Sequence, residues 1–453
     1  MSEKVNISFT LGPVQGFLAQ ARRTRDLWSG SFLLSYLSGC AMSAVVRDGG
    51  WAILPDVSNE PLLSWIGGLK TGDPPRIGTI PNRFEAVAEN PKKAALSAST
   101  AVKVAWNRIA DAVWNGFLEG IAADHGCGTK SIWERQIAGF WEISWSVGPV
   151  GMASRKNWRS HTPPVEGGDH CTMMGDWQEL SGFLRSKDNK KQKEFWYRLR
   201  SQHKVGNLDL REDERLCAIA LIKRLFPKVS TEAIGWQVDG NNWPSTLYVA
   251  AVPWLEKVAA GSPELAENYA RAVSSSAKEA RRSGISKQIG SLRSLGSQPF
   301  LDLDGNYYFI GTLEDCRRTP LSNMPKTIEN CESKPGHARD IRRGLEIQLK
   351  DLYKAWGAPS PFYGLLIMDG DKMGELIKAD GIEVSRALKA FTRDVIPTVR
   401  DHNGVTIYAG GDDVLAMLPL PYTLGCASDL SQKFEGAFKA RKMKATISSI
   451  VTS

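Results

Sequence analysis

The sequence predicts an α+β protein in which two ferredoxin-like domains flank a mainly helical segment. Residues 1–150 and residues 346–453 each follow the order β-α-β-β-α-β, which is the element order of the ferredoxin-like fold. The intervening residues 151–345 have helical periodicity and many charged side chains. A chain of 453 residues is also long enough for about three domains.

The N-terminal repeat begins with the short strand "VNISFT" and the turn "LGPVQGF". A long helical pattern follows, and a second amphipathic helix ends at Gly126, a residue type that commonly follows a helix. Apolar and polar residues alternate in the stretches predicted as the other strands. The predicted strands are residues 5–10, 51–55, 76–84 and 140–147, and the predicted helices are residues 25–46 and 92–126.

The C-terminal repeat has the same order. An apolar run, "FYGLLIM", has the length of a buried strand, and Asp369 follows it at once. Two further strands, "VTIYA" and "VLAML", are joined by the turn "GGDD". The predicted strands are residues 362–368, 405–409, 414–418 and 444–453, and the predicted helices are residues 384–404 and 424–442.

Composition indicates a folded protein in a reducing compartment. The net charge is +8, which is compatible with an anionic partner such as nucleic acid but does not identify one. The N-terminus lacks the layout of a signal peptide, and no uninterrupted apolar run reaches the roughly 18 residues that span a bilayer. Seven cysteines occur without a C-x-x-C pair, so we expect a cytoplasmic protein without a disulfide framework and without a membrane partner.

A basic stretch in the helical segment, "KDNKKQKEFWYRLRSQHK", contains the aromatic residues Phe195, Trp196 and Tyr197. Basic side chains mixed with aromatic ones can bind single-stranded nucleic acid. The alternative is a solvated helix whose aromatic side chains pack inward, and this alternative is favoured because charge runs are usually solvated faces.

Three aspartates form a candidate metal site. In a β-α-β-β fold the first strand lies beside the hairpin of strands two and three, so Asp369 is expected to face Asp412 and Asp413 at the GGDD turn. Carboxylates on neighbouring strands can hold the two Mg²⁺ or Mn²⁺ ions of nucleotidyl transfer. Gly410 and Gly411 allow a tight turn and close approach of a phosphate. The alternative for the turn alone is a surface hairpin, in which Gly and Asp are common.

The turn "DGDKMG" is a candidate site for a triphosphate, because it places backbone N–H groups of Gly370, Asp371 and Lys372 before a helix. Lys372 could add a positive charge or could be an ordinary exposed lysine. Asp371 could be a further ligand or could cap the helix. In the N-terminal repeat, which has no such carboxylate cluster, Ser31 in "WSGS" could contact a nucleotide, although close helix packing by small residues is the favoured explanation.

Four stretches resemble the large, palm-containing subunit of type III-B (Cmr-type) CRISPR effector complexes. "GPVQGFLAQARRTRDLWSGSFLLS" resembles the first palm of that family, and "ERLCAIALIKRLFP" resembles its middle domain. "LIMDGDKMGELI" and "IYAGGDDVLAMLPL" resemble its second palm. The resemblance implies a first palm at 1–150 without a metal site, a helical middle domain at 151–345 and a GGDD palm at 346–453.

The resemblance also implies a function. The GGDD palm would join ATP into cyclic oligoadenylates when the complex pairs its guide RNA with a target RNA. Asp369, Asp412 and Asp413 would be the metal-binding catalytic residues, and other subunits of the complex would be partners. A catalytically inactive scaffold that holds RNA is the alternative, and a free-standing diguanylate-cyclase-like enzyme using GTP fits the N-terminal motif less well.

Three departures from the family pattern qualify that resemblance. The dipeptide His-Asp is absent, so we expect no HD nuclease domain and no DNA cleavage. The zinc ribbon of the family would be degenerate, because Cys171 and Cys217 each lack the second cysteine of a pair, and two thiolates are too few for a closed zinc site. The sequence also stops at the last strand of the second palm, so we expect a short form without the family's C-terminal helical domain.

Overall fold

The computed structural model describes residues 5–148, 166–205, 209–238, 240, 243–277, 280–315, 318–321 and 335–452. Two four-stranded antiparallel sheets are present in this part of the chain. We call the first sheet with its helices the N-terminal sheet domain, and the second sheet with its helices the C-terminal sheet domain. The strands of the two sheets follow the same spatial order, so the predicted α+β class with two ferredoxin-like sheets is confirmed.

The N-terminal sheet has the order β2-β3-β1-β4. Its central strand β1 pairs antiparallel with β3 on one side and with β4 on the other. This is the ferredoxin-like arrangement, in which the first strand is internal. The strand bounds are β1 Val5–Gly12, β2 Trp51–Leu54, β3 Arg83–Ala88 and β4 Glu142–Val147.

The helices of the N-terminal sheet domain match the predicted pattern, with one addition. The predicted helix at 92–126 is interrupted by one π-helical turn, Trp114–Leu118, and a further helix follows Gly126. The labelled helices are α1 Thr24–Arg47, α2 Pro61–Ile66, α3 Pro91–Val113, α4 Glu119–His125 and α5 Thr129–Gly139, with a short turn at Gln15–Leu18.

The prediction of a third strand at residues 76–84 was wrong, because β3 begins only at Arg83. Residues 76–82 precede the sheet as an extended segment. The apolar residues Ile77 and Ile80 gave this segment a strand-like pattern, but its pairing partner is elsewhere. Gly78 forms a parallel bridge with Tyr408 of the other sheet.

Helix α1 is the core helix of the N-terminal sheet domain. Within the described residues it is long and apolar enough, by length and composition, to cross a membrane, although serines and glycines interrupt its apolar run. However, 89% of the window that meets this test is buried inside the structure. Core helices of globular proteins meet the same test, so the helix is explained by packing.

The segment between the sheets is mainly helical in its described part, as predicted. Its helices are α6 Arg185–Ser201, α7 Ala218–Ile234, α8 Thr246–Gly261 and α9 Pro263–Ser276, followed by α10 Pro335–Trp356, which crosses the predicted boundary at residue 345. Short helical turns lie at Ser286–Gln288, Gly290–Ser294, Pro299–Asp302, Gly305–Tyr308 and Ile310–Leu313.

The basic stretch at 187–204 lies largely on helix α6. Phe195 and Trp196 are fully buried, and Trp196 donates a hydrogen bond to Glu179 (2.6 Å). Tyr197 is 36% exposed. Two of the three aromatic side chains therefore pack inward, as the favoured alternative predicted, and cannot stack on bases in this conformation.

The C-terminal sheet has the order β6-β7-β5-β8, and its central strand β5 pairs antiparallel with β7 and β8. Helices α11 and α12 cover one face of this sheet and share a core with it. The bounds are β5 Tyr363–Gly370, α11 Met373–Asp401, β6 Val405–Gly410, β7 Asp413–Pro419, α12 Thr423–Lys439 and β8 Ile447–Thr452, with a short turn at Leu420–Tyr422.

Buried charges join the N-terminal sheet domain to the helical segment. Arg224 on α7 makes bidentate contacts with Asp26 on α1 (2.5 and 2.8 Å) and with Glu214 (2.9 and 3.0 Å). All three side chains are buried. Because one hydrophobic core also runs through both parts, the N-terminal sheet domain and the helical segment form one packed body.

Candidate functional site

The GGDD turn joins two hydrogen-bonded strands. Strand β6 ends at Gly410 and β7 begins at Asp413, so only Gly411 and Asp412 lie between them. Gly411 has φ +67°, a conformation that side-chain-bearing residues rarely adopt. A Cβ atom at Gly410 would collide with the Tyr408 hydroxyl. Both glycines are therefore required by the shape of the turn, as the sequence predicted.

Asp369 lies beside this turn, as predicted. It is the penultimate residue of β5, and the preceding pair in the sheet is Met368 opposite Val414. Antiparallel register therefore brings Asp369 level with Asp413. The next residue, Gly370, faces the turn, where a Cβ atom would lie 2.7 Å from the Cβ of Asp412. The missing side chain at Gly370 thus allows the close approach of Asp412.

The carboxylates of the site influence one another. Burial raises the pKa of Asp412, and the nearby Asp369 carboxylate raises it further. Burial also raises the pKa of the Tyr408 phenol, with added contributions from Asp413 and Asp412. Asp369 and Asp413 are exposed. A cation held here would offset the repulsion between the aspartates, so the donor set fits a divalent ion that prefers carboxylate oxygens.

The aspartates adjoin without forming a compact ligand cluster. Within the described ranges, no group of three or more His, Cys, Asp or Glu side chains is close enough to hold a metal ion. The predicted metal-binding role of Asp369, Asp412 and Asp413 therefore stays a prediction.

The turn after Asp369 is fixed by strand β8. Asp371 accepts hydrogen bonds from Thr446 (2.7 Å) and Ser448 (2.6 Å), and its N–H donates to the Thr446 carbonyl (2.9 Å). The bonds from Ser448 and Thr446 lower the pKa of Asp371. Thr446 and Ser448 escaped the sequence reasoning, although alternating hydroxyls beside a strand end are a signal that could have indicated them.

Lys372 precedes helix α11 in a left-handed conformation, with φ +55°. It occupies the N-cap position, and its side chain makes no capping hydrogen bond. Asp371 is one residue further from the helix and is bound to β8, so the alternative that it caps the helix was wrong. The predicted roles of Gly370, Asp371 and Lys372 in binding a triphosphate stay predictions.

Ser31 is only 2% exposed. It lies on α1 beneath Gly78, where a Cβ atom on the glycine would be 2.7 Å from the Ser31 carbonyl. This placement fits the favoured explanation, in which small residues allow close packing. The predicted nucleotide contact of Ser31 is not visible in this conformation and stays a prediction.

Cys171 and Cys217 are buried neighbours. Cys171 Sγ accepts hydrogen bonds from the N–H groups of Met173 (3.4 Å) and Met174 (3.3 Å), and Cys217 Sγ lies 3.8 Å from Met174 Sδ. Burial opposes ionisation of Cys171, but hydrogen bonds from Cys217 and the backbone hold its pKa at about 7, and burial raises the pKa of Cys217. Whether zinc is absent here, as the sequence predicts, stays a prediction.

Comparison with known proteins agrees with this geometry. Residues 362–452, which include the site, match the family described as "Cas10/Cmr2, second palm domain". Residues 6–111 match "CRISPR-associated protein Cmr2, N-terminal". The chain belongs to the Cas10/Cmr2 family. The C-terminal sheet domain is therefore the second palm of this family, and the resemblance predicted from the four motifs is confirmed.

Similar proteins extend the match over nearly the whole chain. The CRISPR system Cmr subunit Cmr2 of Pyrococcus furiosus is 23% identical over 94% of this chain and 54% of its own length. In fold, the chain resembles a type III-B Cmr-beta structure in the apo state (TM-score 0.58, 14% identity, 96% of this chain and 61% of that chain).

A second fold match is the type III-B Cmr-beta structure bound to cognate target RNA (TM-score 0.61, 13% identity, 95% of this chain and 62% of that chain). The chain thus spans about half the length of the curated Cas10/Cmr2 relative and under two thirds of the solved chains.

Proposed function

We propose that this chain is the GGDD palm subunit of an RNA-guided type III-B CRISPR complex and joins ATP into cyclic oligoadenylates. The observation that carries the proposal is the meeting of Asp369 at the end of β5 with the turn Gly410–Asp413. This arrangement suits two-metal nucleotidyl transfer, in which carboxylates on neighbouring strands hold the ions beside a bound phosphate.

In the proposed reaction, a ribose hydroxyl of one ATP attacks the α-phosphorus of another. A new P–O bond forms, the bond to the β-phosphate oxygen breaks, and pyrophosphate leaves while the hydroxyl loses its proton. Asp369, Asp412 and Asp413 would hold two Mg²⁺ or Mn²⁺ ions, which supply activation of the hydroxyl and stabilisation of the leaving group. Gly410 and Gly411 leave room for the phosphates, and the N–H groups after Gly370 face the start of α11.

The proposed partners are the other subunits of the complex, a guide RNA and a target RNA, in the cytoplasm. Family membership supports the subunits, and the name and title of two similar proteins refer to a Cmr subunit and to cognate target RNA. The net charge of +8 is compatible with RNA.

A scaffold that holds RNA without catalysis is the second candidate. It is favoured by the spacing of the aspartates, which do not form a three-ligand cluster in the described part of the chain. A scaffold would bind target RNA through the complex but would not consume ATP.

The test is the double variant Asp412→Ala/Asp413→Ala in the complex with target RNA, ATP and Mg²⁺. We expect oligoadenylate formation to disappear while target RNA binding is kept. The matched control is Asp401→Asn, an exposed acid of the same domain at the end of α11. Product from the double variant at the wild-type rate would overturn the proposal, and wild-type complex without product would favour the scaffold.

A further inference from the structure

Residues 76–81, here called the bridging segment, link the N-terminal sheet domain to the edge of the C-terminal sheet. The N–H of Ala409 donates a hydrogen bond to the carbonyl of Gly78 (3.3 Å), and the two chains run parallel at this point. Strand β6 is the edge strand of its sheet. The bridging segment therefore covers the open side of the strand that leads into the GGDD turn.

Helix α1 holds the bridging segment from the opposite side. Trp28 Nε1 donates to the carbonyl of Arg76 (2.7 Å), Ser35 Oγ to that of Ile80 (2.7 Å), and Ser38 Oγ to that of Pro81 (2.6 Å). The three donors lie on one face of α1, since seven and ten residues separate them from Trp28. Their hydrogen bonds fix the position of the segment relative to the N-terminal sheet domain.

Gly78 has no space for a side chain. A Cβ atom there would lie 2.7 Å from the Ser31 carbonyl and 2.7 Å from Ser35 Oγ, and 3.0 Å from Ser31 Oγ. The backbone of α1 cannot yield as a flexible side chain could. A larger residue must therefore push the bridging segment away from α1 and disturb its contact with β6.

Strand β6 transmits such a displacement to the aspartates. Ala409, which bonds to Gly78, directly precedes Gly410, and Gly410 pairs with Asp413 across the hairpin. Displacement of reacting groups by about 1 Å can cost roughly a hundredfold in rate. We propose that Gly78 is a positioning residue, through which the N-terminal sheet domain sets the orientation of the GGDD turn. This inference rests on the proposed function for its kinetic consequence.

The experiment compares Gly78→Ala and Gly78→Val with wild type in the assembled complex. We expect kcat for oligoadenylate formation to fall roughly tenfold for Ala and roughly a hundredfold for Val, with KM for ATP within about twofold of wild type. The matched control is Gly139→Ala, since a Cβ atom there meets nothing within 4 Å. It should leave kcat and KM unchanged.

A second measurement does not depend on catalysis. Amide hydrogen exchange at Ala409 should become faster in both Gly78 variants and in Ser35→Ala, which loses the bond to Ile80, but not in Gly139→Ala. Ser35→Ala perturbs the segment without adding volume, so it covers the case in which Gly78→Val fails to fold.

The outcomes separate the two proposals. Wild-type kcat in Gly78→Ala and Gly78→Val, or unchanged exchange at Ala409 in all three variants, would overturn the positioning role. Absence of product from the wild-type complex would instead reject the proposed function, and exchange at Ala409 would then decide the positioning role by itself.

Discussion

The two sheet domains share one strand order but differ in the connection between strands two and three. In the C-terminal sheet, β6 and β7 are joined by Gly411 and Asp412 alone, whereas residues 55–82 join β2 and β3 in the N-terminal sheet. The short connection places carboxylates beside the central strand. The long one instead sends its bridging segment to the other sheet. The fold is thus repeated, and the connection decides which copy carries the candidate chemistry.

The ends of the central strands show the same difference. Strand β5 ends in Gly370, next to Asp412, and β1 ends in Gly12, where a Cβ atom would meet only Glu142 Oε2 at 3.8 Å and the backbone nitrogen of Val14 at 4.0 Å. Acidic residues near these strands also differ. Glu85 in the N-terminal sheet is buried and accepts hydrogen bonds from Ser8 and Arg83, whereas Asp369 is exposed.

The largest effect is expected for Asp369→Ala. Oligoadenylate formation by the complex should fall by at least about a thousandfold, because a carboxylate needed for the metal ions is lost. The midpoint of thermal unfolding should stay within a few degrees, since the side chain is exposed. The matched change Glu85→Ala should do the reverse, lowering stability by about 1–3 kcal/mol while leaving a measurable rate. Equal losses of activity in both variants would remove the distinction between the two sheets.

The next largest effect is expected for Arg224→Met. It leaves Asp26 and Glu214 as buried, uncompensated charges, so the free energy of unfolding should drop by about 3–5 kcal/mol. Urea unfolding followed by hydrogen exchange should show that α1 and α7 lose protection before β5 and β7, whose helices form a separate core.

A control variant for this prediction replaces all three charges, as Arg224→Met/Asp26→Asn/Glu214→Gln. It should be less destabilised than the single variant, because no charge remains buried without a partner. Simultaneous loss of protection in both sheet domains would contradict the assignment of two separately stabilised bodies.

A smaller effect is expected for Gly370→Ala, compared with Gly12→Ala in the other sheet. The added methyl group at Gly370 would press on Asp412 and on Met373 Cγ (2.7 Å), so the rate of oligoadenylate formation should fall roughly a hundredfold. Gly12→Ala has room and should keep the rate within about twofold. Similar rates for the two variants in the same assay would show that the approach of β5 to the turn is unimportant.

The smallest effect is expected for Lys389→Ala on α11. Lys389 Nζ lies 3.4 Å from Asp56 Oδ1 in the connection after β2, and both side chains are partly exposed. Ion pairs of this kind contribute at most about 1 kcal/mol and are weakened by salt. Chemical unfolding at low and high salt should show a small difference from wild type that shrinks at high salt. A larger loss would mean that this contact, rather than the bridging segment, dominates the link between the sheet domains.

Local pattern was enough to predict the repeated element order and the meeting of Asp369 with the GGDD turn. Strand periodicity, turn-forming glycines and the β-α-β-β order are short-range properties of the sequence, and together they fix which strand ends lie side by side. The same reasoning indicated that Phe195 and Trp196 pack inward, since a charge run is usually one solvated face of a helix.

Only the tertiary structure decided which partners the remaining groups find. The bridging segment has strand-like residues, but its hydrogen bond goes to Ala409, more than 300 positions away. Asp371 likewise bonds to Thr446 and Ser448 instead of capping α11. A side chain or backbone amide takes the partner that the packed fold brings near, and that choice depends on distant contacts which no local pattern records.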